Sequence, residues 1–139
     1  MTSSHKKTAT PSRLPCPLAS SLDILGDKWS LLVIRDLFFE KHTFSEFQNS
    51  PEKIPSNILA ERLKRLEAAE IIEKTAYQQR PIRYSYHLTK KGRDLSVVMK
   101  ALVDWGNKYI PGTYSFDDVL EMINISKQKK REQANQSKE

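Results

Sequence analysis

The sequence predicts a mainly α-helical fold carrying one small β-hairpin. Apolar residues recur at helical spacing in several segments, among them Leu18, Leu22 and Leu25, then Leu59, Leu63 and Leu66, then Leu95, Val98, Met99, Leu102 and Trp105. Two adjacent runs only, residues 71–77 and 82–88, are enriched in β-formers. Charge is unevenly spread as well. Residues 53–93 hold ten Lys or Arg against four Glu, a balance of +6 that equals the net charge of all 139 residues.

Composition narrows the class. With 38% hydrophobic and 29% charged residues the chain reads as one soluble domain with ragged ends, expected in the cytoplasm. No run approaches the roughly 20 apolar residues of a membrane span, and MTSSHKKTATPSRLPCP has no apolar core of the secretory kind. A single cysteine, Cys16, cannot build an internal disulfide framework, and His5, His42 and His87 are scattered, so neither a metal site nor a cofactor is expected. A basic excess favours nucleic acid or another anionic surface as partner.

Taken in order, residues 1–14 lack apolar periodicity and read as a disordered, mildly basic arm. Pro17 suits the first position of a helix over residues 17–25. Gly26-Asp27 breaks it, and Asp27 is placed to cap a helix over residues 28–39 whose sequence, KWSLLVIRDLFF, is apolar nearly all round, as a central helix should be. Thr43 and Glu46 have the spacing of a capping box on a short helix through Phe47. Pro51 and Pro55 punctuate a turn before a basic amphipathic helix over residues 56–69. Residues 78–81 form the hairpin turn, and alternation in the second strand places Tyr84 and Tyr86, with Tyr77 nearby, in the hairpin core. Thr89 caps a long helix over residues 90–109, stopped by Pro111-Gly112. A last helix over residues 116–127 precedes a polar tail. Trp29 and Trp105 read as core anchors.

Helix, helix, short helix, basic helix, hairpin, helix is the order of a winged helix-turn-helix domain. An α-helix fits the major groove of B-DNA, where side chains meet base edges, while a flanking hairpin reaches phosphates or the minor groove. On the face opposite Leu59, Leu63 and Leu66, Asn57 is the first candidate for base contact, followed by Ser56, Ala60, Glu61 and Lys64. Arg62, Arg65, Arg80 and Arg83 are expected to contact the backbone. The expected division is a 1–14 arm, a 15–112 winged domain and a 113–139 helix and tail that is a candidate dimerisation element.

Several motifs carry a family resemblance. Cys16-Pro17, LGDKWSLLVIRDL, FSEF, IPSNILAERLKRLE, RPIRYSYHLTKKG and Trp105-Gly106 closely resemble, in order over residues 16–112, the HxlR-type winged-helix transcription regulators, relatives of the MarR-like regulators. The resemblance implies a homodimer joined by the first and last helices on a near-palindromic DNA operator. Glu70 departs from it, since the family usually has Gly in the turn between the basic helix and the wing. In some members a cysteine at the position of Cys16 senses oxidants, quinones or aldehydes, which makes Cys16 a candidate sensor of an oxidant or electrophile. A thiol at a helix N-terminus meets the end of the dipole that favours negative charge; the alternative is a small buried residue.

Two-fold symmetry also follows from geometry, because one recognition helix reads only a few base pairs. Leu18, Leu22, Leu95, Met99, Leu102, Val119 and Ile123 are the candidate dimer surface, with intramolecular core an equal reading for Met99 and Leu102. No HExxH, no phosphate-cradling glycine loop and no nucleophile, base and orienter set supports an enzyme. The competing readings are a nonspecific DNA-packing protein and a winged-helix assembly module.

Overall fold

The computed structural model describes residues 15–138, so the predicted 1–14 arm lies outside the described residues. Seven helices and one hairpin follow in order among these: α1 (Pro17–Leu25), α2 (Lys28–Phe38), α3 (Phe44–Gln48), α4 (Ser56–Ala68), β1 (Ile72–Gln79), β2 (Ile82–Leu88), α5 (Lys90–Arg93), α6 (Ser96–Tyr109) and α7 (Phe116–Lys138). The core gathers Val33, Ile34 and Leu37 of α2, Phe47 of α3, Leu59, Leu63 and Leu66 of α4, and Ile71 and Ile72 at the wing's root. Each of the α4 leucines removes enough apolar surface from water to contribute about 1.5–3 kcal/mol. Together they fix which side of α4 is left to face outward.

The local signals in the sequence act as predicted. Asp27 caps α2 by accepting from the backbone N–H groups of Trp29 and Ser30. Thr43 and Glu46 form the full capping box of α3. At the end of α4, Glu70 adopts the left-handed conformation at φ +63°. Its N–H donates to Glu67 O at 2.9 Å while Ile71 N–H reaches back to Leu66 O at 3.0 Å, which is the Schellman closure that glycine ordinarily serves. Both Leu66 and Ile71 are core residues, so the turn is held by an apolar contact as well.

The wing is antiparallel and irregular. Ala76 pairs with Tyr84 and Gln78 with Arg83, leaving Tyr77 as the extra residue of a bulge. β1 therefore runs two residues past the predicted end, and the turn shrinks to Arg80 and Pro81, joined by a cis peptide bond. The bulge also corrects the tyrosine reading. Tyr86 packs on the core beside Phe47, but Tyr77 is 55% exposed. The wing's root is stitched to the loop before α3: Tyr86 N–H donates to His42 O at 2.8 Å, and Thr43 bridges to Ser85.

Three further expectations are corrected. The predicted helix over residues 90–109 is two helices, α5 and α6, with a turn at Asp94 and Leu95 between them; within α5, Gly92 packs on the wing's root so tightly that a Cβ there would lie 2.2 Å from Ile71 O. Leu95, at that turn, is partly buried against the core. Trp105 is no core anchor, since it is 61% exposed, whereas Trp29 does pack against the core. Finally, α7 continues to Lys138. The tail KQKKREQANQSK is rich in good helix formers and free of Gly and Pro. Lys127 also ties it to Glu40 in the loop before α3, and Lys130 ties it to α3 itself, with Nζ 3.2 Å from Glu46.

Candidate nucleic-acid interface

Two side-chain networks hold α4 against the body of the domain. In the first, Arg35 of α2 forks onto Glu52 and also binds Asp36 at 2.8 Å. Buried Asp36 in turn accepts from the Ser50 hydroxyl, which takes a 3.0 Å hydrogen bond from Lys41. The fork from Arg35 is the main reason the Glu52 carboxyl is lowered to about 2, although burial opposes the shift. This network fixes the α3–α4 turn, in which Lys53 takes a left-handed φ of +57°. Gln48 then donates to the Ser56 hydroxyl at 2.7 Å, joining the last residue of α3 to the first of α4.

The second network centres on Asp27. Arg62 Nε donates to Asp27 Oδ2 at 2.8 Å and Arg65 Nη2 to Oδ1 at 3.3 Å, while the Ser30 hydroxyl donates to Oδ1 at 2.6 Å. Burial pushes the Asp27 carboxyl up, but the hydrogen bonds from Ser30, Arg62 and the backbone of Ser30 and Trp29 outweigh it and hold the group well below the usual carboxylate range. The sequence assigns Arg62 and Arg65 to the DNA backbone. In the fold both close on Asp27 at the start of α2, and Arg62 also pairs with Glu61. Nothing local could have shown this, because Asp27 lies 35 and 38 residues away from them.

What remains on the outer side of α4 is a continuous exposed face of Asn57, Ala60, Glu61, Lys64 and Ala68, with Ser56 at its leading end. Steps of three and four residues bring these side chains together. Lys64 has no carboxylate partner among the described residues. At the far end of the wing Arg80 and Arg83 are exposed and likewise unpaired among the described residues. An amide, a small methyl, an acid and a free ammonium on one helix face can match the donors, acceptors and methyl groups of base edges. The two arginines on a hairpin have the chemistry for phosphate.

At the wing's root His42, in the loop before α3, stacks on His87 of β2 with ring centroids 4.5 Å apart. Burial and the neighbouring His42 both lower the affinity of His87 for a proton. The sequence reading missed this pair, since 45 residues of chain hide it. Among the described residues no three His, Cys, Asp or Glu side chains converge as metal ligands, and no helix is long and apolar enough to cross a membrane.

The HxlR-like helix-turn-helix family model matches residues 24–114. The chain belongs to the HxlR-like family of helix-turn-helix transcription regulators. Its relatives are regulators of transcription and not enzymes. The HTH-type transcriptional regulator YdeP of Bacillus subtilis is 37% identical over 94 residues, spanning 68% of this chain and 73% of that one. Among solved structures, the reduced form of the transcriptional regulator YodB from B. subtilis is similar with a TM-score of 0.58 at 31% identity, over 73% of this chain and all of that one. The redox regulator HypR in its reduced form gives a TM-score of 0.62 at 30% identity, over 67% of this chain and 92% of HypR. The matched region of this HxlR-like chain holds α2 to α6 entire and stops short of α7.

Proposed function

We propose that this HxlR-like protein is a cytoplasmic, sequence-specific regulator that binds a near-palindromic double-stranded DNA operator as a homodimer. The observation that carries the reading is the exposed α4 face, with Asn57 near its start and Lys64 unpaired, held rigidly by the Arg35–Glu52 and Asp27 networks. In this reading Ser56, Asn57, Ala60, Glu61 and Lys64 meet base edges, and Arg80 and Arg83 grip phosphates.

Dimerisation is supported by the apolar surface at the two ends of the domain. Leu18 and Leu22 of α1 are 68% and 54% exposed, and Leu102 of α6 is 51% exposed with Trp105 beside it. None of α6 is buried within the chain. Apolar side chains this exposed on adjacent helix turns call for a cover, and a second copy supplies it together with the second half-site. Val119 and Ile123 of α7 are half-buried and extend the same apolar run.

Cys16 is exposed at the N-cap of α1, next to Leu18. Since a solved relative is a redox regulator, modification of Cys16 by an oxidant or electrophile is the inducing event in this reading. The chain has no second cysteine, so an oxidant would take two electrons to form a disulfide with the other subunit's thiol or with a small thiol, while an electrophile would add directly to the thiolate sulfur.

The test is to incubate the purified protein with fragmented genomic DNA at about 150 mM salt, where nonspecific phosphate binding is weakened, and to sequence what is retained. One enriched inverted repeat supports the reading. Retention without a shared motif supports a packing protein, and no retention supports an assembly module.

A further inference from the structure

Of the three cations on α4, only Lys64 is exposed and unpaired among the described residues; Arg62 and Arg65 are drawn sideways onto Asp27. The acceptor cannot follow them outward. Asp27 is fixed by the helix it caps, taking the N–H of Trp29 at 2.9 Å, the N–H of Ser30 at 3.0 Å and the Ser30 hydroxyl. A second carboxylate, Glu61, takes another N–H of Arg62 and lies 3.9 Å from Arg65 Nε. That Nε is itself buried without a hydrogen bond, and the Arg65 side chain, 37% exposed, is held by Asp27 through Nη2.

Guanidinium N–H groups beside a groove-reading face are ordinary phosphate ligands, and a carboxylate uses the same donors that a phosphate would. We propose that Asp27 is a specificity-determining residue that withholds Arg62 and Arg65 from the DNA backbone. The proposal rests on the DNA-binding reading above. Phosphate contacts strengthen binding to every duplex alike, whereas discrimination depends on the ratio between operator and nonspecific binding. By occupying two arginines of the recognition helix, Asp27 lowers the sequence-independent part and leaves Asn57 and Lys64 to set the preference. The same contacts brace α4 on α2, so the two arginines serve as supports of the reading face.

The experiment is the salt dependence of binding to a duplex without operator sequence, between about 50 and 200 mM. Asp27→Asn keeps a good N-cap and removes the charge. It is expected to bind that duplex more tightly and to steepen the log–log salt slope by roughly 1 to 2, since each phosphate contact contributes about 0.9. Adding Arg62→Gln and Arg65→Gln to Asp27→Asn is expected to return the slope to the wild-type value. An unchanged or shallower slope in folded Asp27→Asn would overturn the proposal. If thermal melts show that Asp27→Asn does not fold, Arg65→Gln in the wild-type background decides: the proposal expects no change of slope, and a slope shallower by about 0.9 overturns it. Failure of wild type and every variant to bind any duplex would sink the DNA-binding reading and this proposal together, whereas wild-type binding with an unchanged slope in Asp27→Asn sinks the proposal alone.

Discussion

Arg35 grips Glu52 through two hydrogen bonds of 2.8 Å each, tying the middle of α2 to the turn that launches α4. Because Arg35 holds the Glu52 carboxyl down at about 2 against an ordinary 4.5, the pair stabilises the folded chain fully above the unfolded value. The contribution fades as pH falls from about 4.5 towards 2. Glu52→Gln should lower stability at pH 7 by roughly 1 kcal/mol, the pair being partly exposed. Urea melts at pH 7 and at pH 3 check this, with the gap between variant and wild type narrowing at the lower pH. An equal gap at both would show that the fork does not couple to protonation.

Glu70 sits at φ +63°, a left-handed conformation that glycine enters without steric cost. A side chain there costs about 1–2 kcal/mol in the left-handed region, and glycine returns part of that gain through its freer unfolded chain. Glu70→Gly should therefore raise stability by about 0.5–1 kcal/mol, read as a higher urea midpoint at constant slope. The hydrogen bond from the Thr89 hydroxyl goes to the Glu70 backbone and survives the change.

Much of the fold was legible because its signals are local. Asp27 as a cap, the Thr43 and Glu46 box and the Leu59, Leu63, Leu66 stripe each need only a few residues to be recognised. The exposed face of α4 followed directly from that stripe. What stayed hidden depended on contacts across the chain. Asp27 takes two arginines from a helix far along the sequence, Gly92 packs where only a residue without a side chain fits against Ile71 O, and the His42 and His87 stack forms only when the wing folds back on the α2–α3 loop. Periodicity could show that Trp105 shared a stripe with Leu102, but it could not say whether that stripe faced its own core or solvent. α7 was read as too short because a polar sequence was taken for an unstructured one.

The exposed stripe of α6 gives a prediction for assembly. Leu102 and Trp105 contribute little to the chain's own core, so Leu102→Glu with Trp105→Glu should leave the helical circular dichroism intact and convert a dimer to a monomer in sedimentation equilibrium. A monomer reads one half-site, and its affinity for a full operator should fall by at least 100-fold, in line with the loss of a linked second site. A variant that still sediments as a dimer would place the interface elsewhere.

Cys16 gives a chemical prediction. Wild-type protein treated with diamide or methylglyoxal should change its affinity for the operator, and Cys16→Ser should not. After diamide, non-reducing electrophoresis separates the two disulfide routes, since a bond between subunits doubles the mass and a mixed disulfide does not. A Cys16→Ser protein that responds as wild type does would remove the thiol from the mechanism.

With α4 reading bases and the wing holding the backbone, Asn57→Ala and Arg83→Ala should behave differently on the recovered operator and on each of its single-base variants. Asn57→Ala should abolish discrimination at one position in each half-site, symmetrically placed, with a loss of about 1–3 kcal/mol there. Arg83→Ala should weaken binding to all variants alike and make the salt slope shallower by about 1. If Asn57→Ala weakens every sequence equally and leaves base preference intact, Asn57 on the α4 face does not read the operator.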